Sequence, residues 1–451
     1  MTAGGSDRVA GAGAGALSLL RSRRFGPLFW AQFLSAFNDN AVKNALVLMI
    51  AYEADAASPK SAQVLIPLAG GLFILPFFLC SATAGQFADQ RDKAWLIRLI
   101  KLSEIALMLA AAAGIVAGST AVLLALLCAM GVEAAFFGPL KYAILPDLLA
   151  PHELLLGNAL VEAGTFIAIL FGTIAGVLIA GRHGAMLVAA LIVAVALAAW
   201  GSSLLIPPTT AAAPQSRVRW NLFAATLRVI GDAAGETVPF RSMLGISWFW
   251  LAGAVYLSQF PSYVRFTLGG AEPVVTLFLT VFSVGIALGS LACNRILGGR
   301  VNAGTVPWGA LGIGLFSIDL WLASPAAAPG GLAGLSAFAG LGAFLAAPAH
   351  WRILGDLLGI SVSGGIFIVP LYALLQAASP REQRARAIAA NNVINAAAMV
   401  VAAVATMALI AAGVTTPGLF LLTGAATLAV ALWFWRILPG LAISAVALGG
   451  E

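Results

Sequence analysis

Apolar stretches of about 20 residues recur along the whole of this 451-residue chain, separated by short polar turns. A helix of that length spans the roughly 30 Å hydrocarbon core of a bilayer, where every backbone polar group must be satisfied internally. The composition agrees, because 61% of the residues are hydrophobic and 9% are charged, whereas a soluble domain carries about 25% charged residues. The sequence therefore predicts an all-α membrane protein that crosses the bilayer many times.

The apolar stretches divide into two sets of six around a polar centre. They predict an N-terminal half at 25–206, a cytoplasmic linker at 207–241 and a C-terminal half at 242–437, with tails at 1–24 and 438–451. In the linker, Trp220, Phe223, Leu227 and Ile230 follow helical spacing, which indicates an amphipathic interfacial helix. The predicted spans are 26–52, 63–86, 94–117, 120–142, 156–181, 184–206, 242–266, 272–296, 304–323, 353–378, 385–412 and 416–437.

The basic residues orient the chain. With these spans most Lys and Arg lie on one side of the membrane, and the positive-inside rule places that side, with both termini, in the cytoplasm. Residues 331–347 are also apolar but short and rich in Gly and Ala; counting them as a thirteenth span would move three arginines outside. They are therefore predicted to be a re-entrant or interfacial segment. The net charge of +6 thus reflects membrane orientation, and no nucleic-acid partner is expected.

No constellation for chemistry is present in the sequence. There is no phosphate-binding loop of the Walker type, no Ser/His/Asp arrangement and no metal-ligand spacing, and the three cysteines are scattered through apolar spans. These observations argue against an enzyme, an ATP-driven pump, a bound metal or a cofactor.

The first span carries an unusual polar cluster, formed by Asn38, Asp39, Asn40 and Lys43. A charge near the bilayer centre costs roughly 2.5–3.5 kcal/mol on insertion scales and faces a bundle interior or a watery cavity. Asp39 and Lys43 are four residues apart, on one helix face and within pairing reach. One interpretation is a structural ion pair that locks this span to a neighbour. The other is a headgroup site, with Asp39 facing a cation and Lys43 an anion.

Further polar groups in the spans are candidates for the same cavity. Lys141 and Glu162 are placed to pair across the fourth and fifth spans, and a structural role is as consistent with the sequence as a functional one. Lys101 and Glu104, three residues apart, are expected to be structural. The eleventh span carries three asparagines that either line the cavity or join helices by hydrogen bonds: Asn391, Asn392 and Asn395.

The two halves also echo each other weakly, which is typical of transporters built from repeats. The segment that closes the second span, with Gly85, Asp89 and Arg91, resembles the loop 2–3 signature of the major facilitator superfamily. In that arrangement the glycine permits close helix contact, the aspartate lies at the N-terminus of a neighbouring helix, and basic residues form breakable ion pairs. An ordinary charged turn is the alternative. The second-half counterpart, from Gly289 to Arg300, has Asn294 and no aspartate.

Four longer strings carry a closer resemblance: Gln32–Asn40, Pro139–Tyr142, Gly157–Ala163 and Phe367–Gln376. With these strings the chain resembles the bacterial lysophospholipid transporter family, a branch of the same superfamily with twelve transmembrane helices, over nearly all of residues 26–437. The similarity is closest to the transporter part of fusions with an acylglycerophosphoethanolamine acyltransferase and acyl-carrier-protein synthetase.

This resemblance implies a monomeric flippase of the bacterial inner membrane. Such a protein moves lysophospholipids, chiefly lysophosphatidylethanolamine, from the outer to the inner leaflet for re-acylation, and its partner is a cytoplasmic acyltransferase. The family's intramembrane charges match Asp39, Lys141 and Glu162. The arginine that the stand-alone branch carries in span seven is absent here, where Leu257 or Ser258 stands. Two alternatives stay open: a proton-coupled drug or metabolite exporter, and a membrane scaffold for an acyltransferase.

Overall fold

The computed structural model describes residues 15–57, 59–182, 185–216, 218, 220–325 and 339–441. Twelve long helices lie in these residues: α1 (Gly26–Ala57), α2 (Pro59–Gln90), α3 (Lys93–Val116), α4 (Thr120–Ala143), α5 (Leu154–Arg182), α6 (Ala185–Leu204), α7 (Thr237–Ser262), α8 (Glu272–Ile296), α9 (Val306–Ala323), α10 (Pro348–Ala378), α11 (Arg384–Ala411) and α12 (Thr416–Ile437). The predicted all-α, twelve-helix architecture is confirmed.

Among the described helices, α2 to α12 are long and apolar enough to cross a bilayer. α1 has the necessary length, 32 residues, but its centre carries the polar cluster found in the sequence. Parts of five predicted segments lie outside the described residues, namely 1–14 of the first tail, 184 of the sixth span, 217 and 219 of the linker, 442–451 of the last tail and 331–338 of the apolar segment before α10. The rest of that last segment contains a short helix, Leu341–Ala346.

The predicted amphipathic helix is present at Leu222–Ala234 and is called the linker helix below. Asn221 caps it by accepting the backbone N–H of Ala224. The helix buries Ala225, Val229 and Ala233 and packs on α2. Its other face leaves Phe223 and Leu227 exposed, as is Trp220 just before the helix. The linker helix therefore has two apolar faces, one against the protein and one away from it.

The helices divide into two compact units. Unit 1 comprises residues 1–240 together with 375–396, and unit 2 comprises 241–374 together with 397–451. Unit 1 thus contains the first six long helices, the last residues of α10 and the first half of α11. In it, α1 packs on α5 and α6, α2 on α4, and α3 on α4 and α6.

Close approach of α1 and α5 depends on two glycines four residues apart in α5. A Cβ at Gly172 would lie 2.3 Å from the carbonyl oxygen of Phe37, and one at Gly176 would lie 2.5 Å from that of Ala41. Glycines at this spacing let helix backbones touch in a membrane. The resulting contact fixes the polar stretch of α1 against α5. Unit 2 has its own core, in which α9 packs on α12.

Candidate functional site

The polar residues of α1 form hydrogen bonds within their own helix and with α5. Lys43 Nζ donates to Asn40 Oδ1 at 3.1 Å, and Asn44 Nδ2 donates to Thr173 Oγ1 of α5 at 3.2 Å. Asp39 and Lys43 lie within Coulombic range but form no ion pair within the described chain. A helical side chain leans toward the preceding turn, where Asn40 offers Lys43 an oxygen three residues back. The ammonium group of Lys43 is therefore hydrogen-bonded to a neutral amide and not to a carboxylate.

A second cluster, which the sequence did not assign to a site, joins α1, α3 and α4. Lys101 Nζ donates to Glu104 Oε2 and Glu133 Oε1, both at 2.7 Å, and to Ser35 Oγ at 2.5 Å. Ser35 Oγ in turn donates to Glu104 Oε2 at 2.6 Å. The side chains of Lys101 and Glu104 are at most 2% exposed. The i,i+3 spacing of Lys101 and Glu104 was the only signal in the sequence, since the contact with Glu133 is tertiary.

Glu162 of α5 is held by a tyrosine rather than by the expected lysine. The hydroxyl of Tyr142 donates to Glu162 Oε1, and Glu162 Oε2 is buried with no partner among the described residues. Lys141 forms no ion pair in the described part of the chain, and its Nζ lies 4.9 Å from the ring centre of Tyr142. Lys141 and Glu162 are nevertheless within Coulombic range. Tyr142 is a site residue that sequence reasoning missed, although it stands in one of the matching strings.

These groups form one electrostatic network inside unit 1. Asp39 interacts with Lys43, Lys101, Glu104 and Glu133, and Lys141 interacts with Glu162, Asp39 and Lys101. The network therefore links charges on four helices. Its seven members, called the charged network below, are Asp39, Lys43, Lys101, Glu104, Glu133, Lys141 and Glu162.

The asparagines of α11 belong to the same unit. Asn391 is fully buried, and neither polar atom of its side chain has a partner among the described residues; Nδ2 of Asn392 has none either. A Cβ at Gly138 would lie 2.5 Å from Asn392 Nδ2, so Asn392 lies against α4 one turn before Lys141. Asn395 is also buried. The structure thus brings Asn392 close to the α4 part of the network.

The signature at the end of α2 contacts the start of α11. Asp89 is fully buried and accepts the backbone N–H of Ala385 at 3.1 Å and Arg386 Nε at 3.1 Å. A Cβ at Gly85 would lie 2.6 Å from that of Ala389. Asp89 thus lies at the positive N-terminus of α11. Arg91 is exposed and makes no ion pair with the described residues, so the basic partner of Asp89 is Arg386.

A reciprocal amide pair joins α5 and the end of α10. Asn158 Nδ2 donates to Gln376 Oε1 at 2.8 Å, and Gln376 Nε2 donates to Asn158 Oδ1 at 2.9 Å. Both side chains are fully buried. Lys93 pairs with Asp147 at 2.7 Å, and both side chains are buried, at 2% and 9% exposure. Asn158 and Gln376 stand in the matching strings, but no spacing rule connects residues this far apart in sequence.

Unit 2 has no charge in the described middle of α7, as the sequence indicated. The contacts of α7 are neutral: Trp250 Nε1 donates to the Tyr372 hydroxyl at 3.2 Å, and the Tyr256 hydroxyl bonds to Ser317 Oγ at 2.5 Å. Elsewhere in unit 2, Asp319 of α9 pairs with Arg352 of α10 at 2.5 Å. Ser258 donates to the carbonyl of Val255 at 3.0 Å. Of the two residues considered for the missing charge, Leu257 is apolar and Ser258 is bonded within its own helix.

Residues 28–364 match the family model of the Major Facilitator Superfamily, so the chain is a membrane transporter rather than an enzyme. Solved transporters share the fold. The human organic anion transporter MFSD10 is 15% identical with a TM-score of 0.65, covering 93% of this chain and 97% of its own. A bacterial homologue of the iron transporter ferroportin is 15% identical with a TM-score of 0.61, covering 92% and 99%.

Relatives of known name identify the branch of this superfamily. The lysophospholipid transporter LplT of Citrobacter koseri is 30% identical over 425 residues, 90% of this chain and 94% of its own length. That of Salmonella gallinarum is 31% identical over 373 residues, 81% of each chain. The chain belongs to the lysophospholipid transporter family of the major facilitator superfamily.

Proposed function

We propose that this chain moves lysophospholipids, chiefly lysophosphatidylethanolamine, from the outer to the inner leaflet of the bacterial inner membrane by alternating access. The observation that carries the proposal is the charged network, which holds both signs of charge inside membrane helices. Buried charges of this kind mark substrate pathways. The names of the relatives support the choice of substrate.

The network suits a zwitterionic headgroup. Lys43 bonds only to the neutral amide of Asn40 among its described contacts, so its charge is available to a phosphate, and Asp39 supplies a carboxylate for the ammonium. Lys141, Glu162 and the α11 asparagines form the remaining polar wall within unit 1. The unpartnered oxygen of Glu162 is a second acceptor for an N–H group. The single acyl chain stays against apolar walls or in lipid.

Gating is assigned to the contact between the end of α2 and the start of α11. Asp89 and Gly85 hold this contact, which must break and re-form in each cycle, because alternating access requires a bistable element. Arg91 takes part in the other conformer. With both termini in the cytoplasm, the contact lies on the cytoplasmic side, where a separately supplied acyltransferase re-acylates the product. The transporter acts as a monomer.

Uptake in spheroplasts tests the proposal. Labelled lysophosphatidylethanolamine is added outside cells that lack this chain but contain the acyltransferase, and labelled diacyl lipid is measured. Wild type restores labelling. Lys43→Met lowers it about tenfold or more, since a charge-assisted hydrogen bond contributes about 1.5–3 kcal/mol, and the matched control Lys43→Arg keeps a large part of the activity. Labelling that does not depend on the wild-type chain overturns the lipid substrate.

The same cells test the alternatives. The excess of carboxylates in the network favours a proton-coupled exporter as the second candidate. If the chain were such an exporter, its deletion would make the cells sensitive to drugs, and a protonophore would abolish its activity. A scaffold predicts that an acyltransferase co-purifies with the chain while Lys43→Met has no effect on labelling.

A further inference from the structure

Two neighbouring asparagines, Asn391 and Asn392, bury amide atoms that have no hydrogen-bond partner in the described chain, and they are called the α11 amides below. Asn391 is fully buried, and among the described residues it is the one buried amide whose oxygen and nitrogen both lack a partner. Asn392 is also buried, and its Nδ2 lacks one. Unpaired polar atoms in a protein interior are rare and destabilising. Three of them on adjacent residues indicate a binding surface.

The α11 amides lie just past the contact between α2 and α11. That contact caps the backbone N–H of Ala385, and Asn391 follows it by six residues, about 9 Å further along the helix axis. On the other side, a Cβ at Gly138 of α4 would lie 2.5 Å from Asn392 Nδ2. Gly138 stands one helical turn before Lys141. The α11 amides therefore border the polar wall of the proposed headgroup site, next to the gating contact.

A comparison with another asparagine of unit 1 shows how a structural amide is satisfied. Asn158 is fully buried, and its oxygen and nitrogen both bond to Gln376, at 2.9 and 2.8 Å. Its Nδ2 also donates to the carbonyl of Leu154 at 2.9 Å. Asn391 makes no such bond within the described residues, so joining helices does not account for it.

The chemistry of an amide limits what can satisfy it. The oxygen of an asparagine side chain only accepts hydrogen bonds, and its NH2 group only donates them. On lysophosphatidylethanolamine, the phosphate and the acyl ester only accept, and the ammonium only donates. The free glycerol hydroxyl both donates and accepts. It is the single group of this lipid that can pair with both atoms of Asn391.

We propose that Asn391, together with Asn392, binds the free glycerol hydroxyl of the substrate and thereby selects lysophospholipids over diacyl lipids. In a diacyl lipid this hydroxyl is an ester oxygen, which cannot donate a hydrogen bond. A site built to bond a hydroxyl rejects an analogue without one, because its own buried polar groups are then left unpaired. Re-acylation removes the hydroxyl, so the product no longer fits the site. This inference rests on the proposed function.

Binding to the purified full chain tests the inference with two ligands that differ in one group. They are lysophosphatidylethanolamine and its deoxy analogue, in which hydrogen replaces the free glycerol hydroxyl. We expect wild type to bind the deoxy analogue roughly 10- to 100-fold more weakly, since a buried amide is left unpaired. In Asn391→Leu this difference largely disappears, because leucine is similar in size but forms no hydrogen bond. The matched control Asn294→Leu, in unit 2, keeps the full difference.

The outcomes separate this inference from the proposed function. Exchange of labelled lysophosphatidylethanolamine in proteoliposomes is measured with wild type, and its absence overturns the proposed function. If wild type exchanges the lipid but binds both ligands equally, the hydroxyl site is overturned while the transporter stands. A difference that persists in Asn391→Leu assigns the hydroxyl to another residue and also overturns the site. Asn391→Ala takes the place of Asn391→Leu if the latter does not fold.

Discussion

The two units of this protein bury polar side chains in different ways. Unit 1 places charged groups of both signs in its interior and satisfies them with one another, as in the three bonds of Lys101. Unit 2 joins neutral hydroxyl and indole groups, such as Tyr256 with Ser317 and Trp250 with Tyr372, while its ion pair of Asp319 with Arg352 is exposed and Asp356 is a buried carboxylate. Neutral bonds hold a packing in place at little electrostatic cost, whereas a charged network responds to any added ion. Response to a ligand is therefore expected in unit 1.

The largest effect is expected at the centre of the charged network. Lys101→Met leaves the carboxylates of Glu104 and Glu133 facing each other in a buried site, and breaking a buried ion pair in this way costs about 3–5 kcal/mol. The free energy of unfolding in detergent should fall by that amount. The double change Lys101→Met with Glu133→Gln should recover part of it, because one of the stranded charges is removed. Equal stability of Lys101→Met and wild type would remove the distinction between the units.

A smaller effect is expected at the end of α2, where the two halves carry related signatures. Asp89→Asn weakens the bonds to Ala385 and Arg386, which as charge-assisted bonds contribute about 1.5–3 kcal/mol, so lipid exchange should fall about tenfold through a shifted conformational equilibrium. The matched change Asn294→Ala in the second-half counterpart should leave exchange near wild type, since Asn294 Oδ1 has no partner in the described chain. A comparable loss from both changes would show that the degenerate signature also acts as a gate.

The smallest effect comes from removing one hydroxyl in each unit. Tyr142→Phe takes the donor from Glu162, whose other oxygen already lacks a partner, and should cost about 1–3 kcal/mol in unfolding free energy. Tyr256→Phe should cost about 1 kcal/mol or less, because Ser317 keeps its bond to the carbonyl of Ile313 at 2.5 Å. Thermal unfolding of both variants in the same detergent compares them, and a larger loss in Tyr256→Phe would reverse the ranking.

Local sequence rules located several features that the structure contains. Hydropathy placed the long helices to within a few residues, and helical spacing found the linker helix at Leu222–Ala234. Asp39 and Lys43 were singled out because charge in an apolar helix is rare. Their pairing was harder to foresee, because Asn40 takes the bond that the four-residue spacing offered to Asp39.

Local sequence rules could not predict which residues far apart in the sequence are in contact. Lys101 meets Glu133, Asn158 meets Gln376, and Asp89 meets Arg386. Each pair joins residues whose separation is set by how helices pack, and a period of 3.6 residues carries no information about a partner on another helix. Glu104 was expected to be structural from its spacing to Lys101, and its contact with Ser35 of α1 could not be foreseen.

By itself, the sequence determined that this chain crosses a membrane as a helical bundle, because about 20 apolar residues in a row have no other stable arrangement in lipid. It also determined which helices carry charge, among them the first long helix with Asp39 and Lys43. Only the tertiary structure decided which charges touch. Which charges touch depends on close approaches between helices, such as Gly172 of α5 against Phe37 of α1. These approaches bring side chains from four helices into one low-dielectric interior, where an unpaired charge is strongly destabilising.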